Sequence, residues 1–258
     1  MTEPLRRFFV PPGSVRARNV TLGPDLARRL GRVLRLRRGD HVLLTEGGSR
    51  EYEVQITAIS ANALTGTVVG ERRPPPEPDV ELVLYQSLIR ANRFDLVLEK
   101  GTEIGVARFV PLVTARALVQ NGEEPSRSRA ERWQRLITEA AEQCGRGRLP
   151  IVEQPQPFEQ AVTAASGLKL LSWEGAAAPE LSRERIPSLT RYVASLAARP
   201  HRVSVFIGPE GGFQQDEVEL ARSHDCALVS LGPRVLRSET AAIVATTLIF
   251  AALGELGA

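Results

Sequence analysis

The sequence predicts an α/β protein with a mainly parallel sheet, preceded by a small β-barrel. Three observations carry this. Residues 71–79 read ERRPPPEPD, with four prolines in five positions. Neither a helix interior nor a central strand tolerates such a run, so it divides the chain. Before it, short segments alternate apolar and polar residues between turn signals. After it, apolar strand-like runs alternate with helix-sized segments, the pattern of a parallel sheet.

In the N-terminal part, 24–34 reads as a short helix opened by Pro24. Strands are expected at 40–44, at 52–56 after a turn at Gly47-Gly48, and at 64–69. Three strands in sequence suggest a barrel of meander type. The domain boundaries expected are 1–72 for this barrel, 73–79 for a stiff Pro-rich linker, and 80–258 for the larger domain.

In the C-terminal part, strands are expected at 80–85, 109–113, 168–172, 203–207 and 227–231. Helices are expected at 92–103, 128–143, 158–165, 188–197, 216–224 and 239–253. The run VSVFI at 203–207 is almost continuously apolar, as strands covered on both faces are. The longest apolar run, 241–253, is too short to span a bilayer and reads as a buried helix, a candidate for a subunit interface.

Composition bounds the function. With 258 residues, 43% hydrophobic and 24% charged, the chain can bury a real core. Two distant cysteines, Cys144 and Cys226, exclude a disulfide framework and fit a reducing, cytoplasmic setting. The N-terminus, MTEPLRRFFVPPG, carries no signal-like apolar run. Three scattered histidines have no ligand spacing, so no metal is expected. Charge is uneven: residues 1–75 hold 13 arginines, no lysine and 7 acids, a net +6, against −3 for the remainder. That concentration points to a polyanionic partner.

The most informative stretch is IGPEGGF, 207–213, at the end of an expected strand. It has an echo in LGPRVL, 231–236, after the next one. One helix-sized segment separates them, so the two strands form a βαβ unit. Both loops then emerge at the carboxyl edge of the sheet, where open α/β sheets bind ligands. Neither GxxxxGK[ST] nor GxGxxG occurs. Gly208, Gly211 and Gly212 admit close approach of a flat ligand, and Glu210 repels phosphate but suits ribose hydroxyls or a cation. The loops therefore favour a nucleoside-like ligand without phosphates, such as S-adenosylmethionine. Read alone, the loops could equally be two tight turns.

These motifs, with RRFFV (6–10), VLRLRRGD (33–40), KGTEIGV (100–106), PLVTAR (111–116), AAEQCGR (140–146) and LGPRVLRSETAA (231–242), resemble the ribosomal RNA small-subunit methyltransferase E family. These are 16S uridine-N3 enzymes of the SPOUT class. The resemblance implies a PUA-like RNA-binding barrel and a SPOUT domain whose C-terminal segment forms a trefoil knot. It also implies a homodimer, S-adenosylmethionine as cofactor, and 16S rRNA in the 30S subunit as substrate. On this resemblance one cofactor loop comprises Ile207, Gly208, Pro209, Glu210, Gly211 and Gly212. A second comprises Leu231, Gly232, Val235, Leu236 and Ser238, and a third follows Leu171 at Ser172, Trp173 and Glu174.

Removing the N3 imide proton of uridine calls for a base and for a donor to the carbonyl oxygens. Arg237 is the candidate donor, with a salt bridge to Glu239 or across a subunit interface as the competing reading. Glu210 and Glu239 are the candidate bases. A capping role beside an N-cap Ser238 is the better reading of Glu239. Glu142, Gln143 and Arg146 either line the RNA site or cap a helix, and both cysteines read as packing. Arg6, Arg7, Arg32, Arg35, Arg37, Arg38 and Arg146 are the candidate RNA contacts, with Arg28 and Arg29 in the same cluster, while Phe9 reads as core. Competing functions are methylation of a ribose 2′-hydroxyl or another RNA, and a non-catalytic RNA-binding assembly factor. A nucleotide-dependent oxidoreductase is remote, because the dinucleotide fingerprint is missing.

Overall fold

The computed structural model describes residues 5–117, 127–173 and 186–256. The chain forms two compact units. The first takes Met1–Glu77 and Thr138–Leu149, the second Pro78–Ile137 and Pro150–Ala258.

In the first unit the strands are β1 (Arg7–Phe9), β2 (Val15–Arg16), β3 (Asn19–Leu22), β4 (His41–Thr45), β5 (Glu51–Ile59) and β6 (Leu64–Arg72). They form one sheet in the order β1-β4-β5-β6-β3-β2. The meander β4-β5-β6 is antiparallel, and β1 adds to β4 in parallel. Helix α1 (Pro24–Arg28) runs on into one π-turn, Arg29–Val33. Alternation places Val42 and Leu44, Val54 and Ile56 with Phe8, Leu22 and Leu30 in a single apolar core.

Three expectations change here. Phe8, not Phe9, is the core residue: a strand sends alternate side chains to opposite faces, and Phe9 is only half-buried. Arg7 is a buried structural cation. Its guanidinium grips Glu51 (Nη2 to Oε2 3.0 Å), whose side chain is fully buried and also meets Arg72 at 3.0 Å. The proline stretch is anchored within this unit, because Glu77 accepts from the Arg146 guanidinium (2.6 Å) and from the Arg148 N–H (3.1 Å).

The second unit is a parallel sheet with helices on both faces. Its strands are β7 (Glu81–Ser87), β8 (Arg108–Val113), β9 (Ile151–Val152), β10 (Gln156–Pro157), β11 (Leu168–Ser172), β12 (Arg202–Ile207) and β13 (Ala227–Val229). The order is β10-β8-β7-β12-β11-β13, with β9 also on β8, and every pairing is parallel. The helices are α2 (Ala91–Ile104), α3 (Arg127–Cys144), α4 (Phe158–Ala164), α5 (Leu189–Ala194), α6 (Gln215–Ser223) and α7 (Ser238–Ala252). The last turns of α3 belong to the first unit.

Period-two alternation splits each central strand between two cores. Leu82, Leu84, Val203 and Val205 pack with Phe94, Leu98, Ile249 and Phe250, under α2 and α7. Val83, Tyr85 and Phe206 pack with Phe158, Val162, Val218 and Ala221, under α4 and α6. Tyr85 stacks on Phe206 with ring centroids 4.3 Å apart. Among the described residues no helix is long and apolar enough to cross a membrane, and no cluster of His, Cys, Asp or Glu could hold a metal.

The two cysteines differ. Cys226 is buried beside α6, and burial pushes its thiol from 9.0 up to about 11. Cys144, expected to pack, is exposed, since it is the final residue of α3 and the helix ends there. One thiol per chain should therefore react promptly with a thiol reagent at pH 8, and the second only on unfolding. Fast reaction of both would contradict the burial of Cys226. The folded protein holds the Cys226 proton more tightly than the unfolded chain does. Its contribution is thus complete below about pH 9 and is lost as pH rises toward about 11, so Cys226→Ala should flatten stability across that window.

Candidate functional site

Strands β12, β11 and β13 all run the same way, so the segments that follow them leave at one edge of the sheet. The arrangement differs from a simple βαβ pair. β11 lies between β12 and β13, and the connection through α6 crosses over it. A strand carries no record of its neighbour's identity, so adjacency in sequence suggested adjacency in space. The insertion of β11 brings a third segment, Ser172-Trp173, between the two Gly-Pro loops. The Trp173 N–H donates to the Val229 carbonyl at 3.0 Å and ties that segment to β13.

The three segments enclose a cavity of about 280 Å³. One wall is the 207–213 loop. The opposite wall is Val235, Leu236, Ser238 and Ala241, with Ser172 and Trp173 between them and Arg116 at the side. Ser238 locks the walls together. Its hydroxyl donates to the Gly208 carbonyl and accepts from Gln86 Nε2, at the end of β7, at 2.9 Å. Ser238 is accordingly not the N-cap. Arg237 holds that position with extended backbone, and Ser238 is the first helical residue.

The bare backbone of this loop has two causes. A Cβ at Gly208 would lie 3.2 Å from the Phe213 ring, and one at Gly211 would lie 3.3 Å from the Arg116 side chain. These two glycines serve internal packing, and Arg116 also donates to the Gly211 carbonyl at 2.8 Å. Gly212 has φ +68° and closes a turn onto the Pro209 carbonyl (2.9 Å), with open space where a side chain would stand. Beyond the loop, Glu217 caps α6. Its carboxylate accepts from the Gln214 N–H at 2.8 Å and from the Ala115 N–H at 2.9 Å.

Of the residues expected at a cofactor, Ser172, Ile207, Gly208, Pro209, Glu210, Gly211, Gly212, Val235, Leu236 and Ser238 line this one cavity. Leu171 does not, since it is fully buried in the core below, and half-buried Leu231 packs against the other core. Gly232 stands in the second loop at φ +119°, outside the lining. Glu174 lies outside the described residues. Arg237 is exposed beside the cavity, and no ion pair involves it among the described residues.

The alternative Arg237–Glu239 pair is not formed among the described residues, where another cation takes the carboxylate. Arg93, in the first turn of α2, lies 3.2 Å from Glu210 and 3.6 Å from Glu239. Glu239 is buried at the start of α7, and its Oε2 has no partner among the described residues. Arg93 therefore meets two acids, one from the 207–213 loop and one from the first turn of α7. Sequence reasoning missed Arg93, Arg116 and Phe213. One signal was present: β7 ends at the same sheet edge, so the first turn of the helix after it had to reach the site.

The candidate RNA residues separate by burial. Arg6, Arg32, Arg35, Arg37 and Arg38 are exposed. Arg7 and Arg146 have side chains only 8% and 10% exposed and are committed to Glu51 and Glu77. Glu142 likewise serves the fold. It accepts from the Arg29 guanidinium (2.6 Å) and the Phe9 N–H (3.1 Å), and burial raises its carboxyl above the usual range despite both donors.

The comparisons agree with this geometry. Residues 75–250 match the RNA methyltransferase domain family, and residues 30–69 match the RNA methyltransferase PUA domain. The ribosomal RNA small subunit methyltransferase E of Synechocystis is 34% identical over 96% of this chain and 78% of its own length. Its namesake in Bacillus subtilis is 28% identical over 84% of each chain. A putative methyltransferase from Legionella pneumophila, solved with bound cofactor SAM, superposes with TM-score 0.85 at 30% identity, covering 96% of this chain and 98% of the other. The small subunit methyltransferase E of Neisseria gonorrhoeae, bound to S-adenosyl methionine, gives 0.80 at 26% identity, covering 96% and 98%. A PUA-like unit, a parallel-sheet domain of SPOUT type and a three-loop cavity at its carboxyl edge thus coincide with family matches across most of the chain, which belongs to the ribosomal RNA small subunit methyltransferase E family.

Proposed function

We propose that the protein methylates N3 of a uridine in 16S rRNA, using S-adenosylmethionine. The convergence of three strand-end segments on one cavity, in a chain of this family, carries the reading. The residues fit the cofactor. Trp173, Val235 and Leu236 offer apolar walls for a flat base, Gly212 leaves open space, and Glu210 brings a carboxylate to the positive ligand. We assign cofactor contacts to the lining residues of the three segments and not to Leu171 or Leu231.

Bound S-adenosylmethionine supplies an electrophilic methyl group on a sulfonium. The chain must hold the uracil in line with it and ease loss of the imide proton. Arg237 takes this role in our reading. It lies in the chain between Leu236 and Ser238 of the cavity wall and makes no ion pair among the described residues, so its guanidinium can donate to a carbonyl oxygen flanking N3 as negative charge builds there. Glu210 accepts the proton. Its carboxylate also meets Arg93 at 3.2 Å, which fixes its place at the cavity. Glu239 is buried against Arg93 and α7 and keeps a structural role.

The exposed arginines 32, 35, 37 and 38 of the first unit form the RNA-facing surface in this reading. Neutralising Arg35, Arg37 and Arg38 together should flatten the salt dependence of RNA binding by about 2 in log–log slope. An unchanged slope would make them a solvated face with no RNA contact. The family resemblance further supports a homodimer, a cytoplasmic setting and a trefoil knot.

Purified 30S subunits and free 16S rRNA, incubated with enzyme and labelled cofactor and digested to nucleosides, should yield 3-methyluridine, with the particle preferred. A 2′-O-methylated nucleoside would move the target to ribose. No cofactor binding by calorimetry would leave an RNA-binding assembly factor.

A further inference from the structure

A second cavity opens in the same unit, on the far side of the first turn of α2. Its volume is about 520 Å³, and its floor is Leu88, Ile89, Phe94 and Trp133, the last two rings 4.8 Å apart. Its rim carries four arginines. Arg90 comes from the end of the β7 loop, and Arg129, Arg132 and Arg135 come from α3. The spacing of three keeps the α3 arginines on neighbouring turns of one side. Arg132 is held by Asp95, whereas Arg90, Arg129 and Arg135 are exposed and make no ion pair among the described residues. Asp95 is 8% exposed, and its Oδ1 has no partner among the described residues.

Three unneutralised cations around an apolar floor cost folding nothing at the surface, but they need a reason to gather. The chemistry that satisfies them is a strand of phosphodiesters. The carboxylate at the floor bars an anion from going deep, so phosphate must sit at the rim and a neutral hydroxyl below. We propose that this cavity is a subsite for a nucleotide of single-stranded RNA next to the target base. Arg90, Arg129 and Arg135 hold phosphodiester oxygens, and the free oxygen of Asp95 accepts from a ribose 2′-hydroxyl. The location supports it. Arg93, on the same helical turn, contacts Glu210 of the first cavity, so one turn of α2 separates the two pockets.

The inference rests on the methyltransferase reading, and its test separates the two. The full-length Arg129→Gln/Arg135→Gln variant is compared with wild type by anisotropy of a fluorescein-labelled single-stranded oligouridylate across a salt series. The log–log slope is expected to fall by about 1.4, at about 0.7 per phosphate on a single strand. S-adenosylmethionine affinity by calorimetry should not change, which shows that the variant is folded. An unchanged slope overturns the subsite. So does a shift of the variant to monomer in sedimentation with its slope retained, which would make the surface a subunit contact. Wild type should also hold the oligouridylate more tightly than its 2′-deoxy counterpart, and equal affinity removes the role given to Asp95. Failure of wild type to methylate rRNA would instead sink the reading beneath.

Discussion

Arg237→Ala is expected to lower the methylation rate on 30S subunits by about 10²–10³-fold while S-adenosylmethionine binds as before. The first half follows from the donor role. Without a positive donor at the carbonyl edge, the charge left by the imide proton has only water to stabilise it, and the barrier rises by several kcal/mol. The second half follows from geometry. Arg237 is exposed and outside the cavity lining, whereas its neighbours Leu236 and Ser238 form the wall. No ion pair among the described residues is broken by removing it, so the fold should tolerate the change. Single-turnover rates with saturating cofactor, together with calorimetry, read the two halves separately. A rate within threefold of wild type would reassign the donor, and lost cofactor affinity would make Arg237 a binding residue. Arg237→Lys should recover only part of the rate, because an ammonium is a point charge without the planar fork.

Glu51→Ala should destabilise the first unit by about 3–5 kcal/mol, the effect expected when one partner of a buried ion pair is removed. Glu51 is fully buried and lies between Arg7 and Arg72. Its loss leaves the Arg7 charge, itself 8% exposed, without compensation. For a unit of this size the unfolding midpoint should drop by more than about 10 °C. Hydrogen exchange localises the effect: β1 and β5, which carry the pair, should lose protection before the parallel sheet does. The double variant Arg7→Met/Glu51→Leu should recover much of the loss, because two matched apolar side chains need no charge partner. A cost below about 1 kcal/mol for Glu51→Ala would show that water reaches the site.

Much of the second unit was legible in the chain. The run at 203–207 announced a doubly covered strand, and the strand does send Val203 and Val205 into one core and Phe206 into the other. Helix α7 stood out as an apolar run, and its observed bounds, Ser238–Ala252, lie one residue from those expected. The strands β1, β2 and β3 were not legible, because two to four residues hold too few alternations to show a period. The two Gly-Pro segments pointed to residues that line one cavity, although Gly208 and Gly211 turned out to be bare for Phe213 and Arg116.

The sequence by itself determined the α/β class, the apolar strand at 203–207 and the family to which the chain belongs. These are properties of local pattern and motif, which one stretch of residues carries alone. Only the tertiary structure decided that β11 separates β12 from β13, that Arg93 occupies both acids, and that Ser238 fastens two loops instead of capping a helix. It also decided that Arg7 and Arg146 are spent on carboxylates 44 and 69 residues away. An arginine that will face RNA and one that will be buried against an acid look the same in a list of residues. What separates them is whether the folded chain leaves water, or a carboxylate, at the end of the side chain.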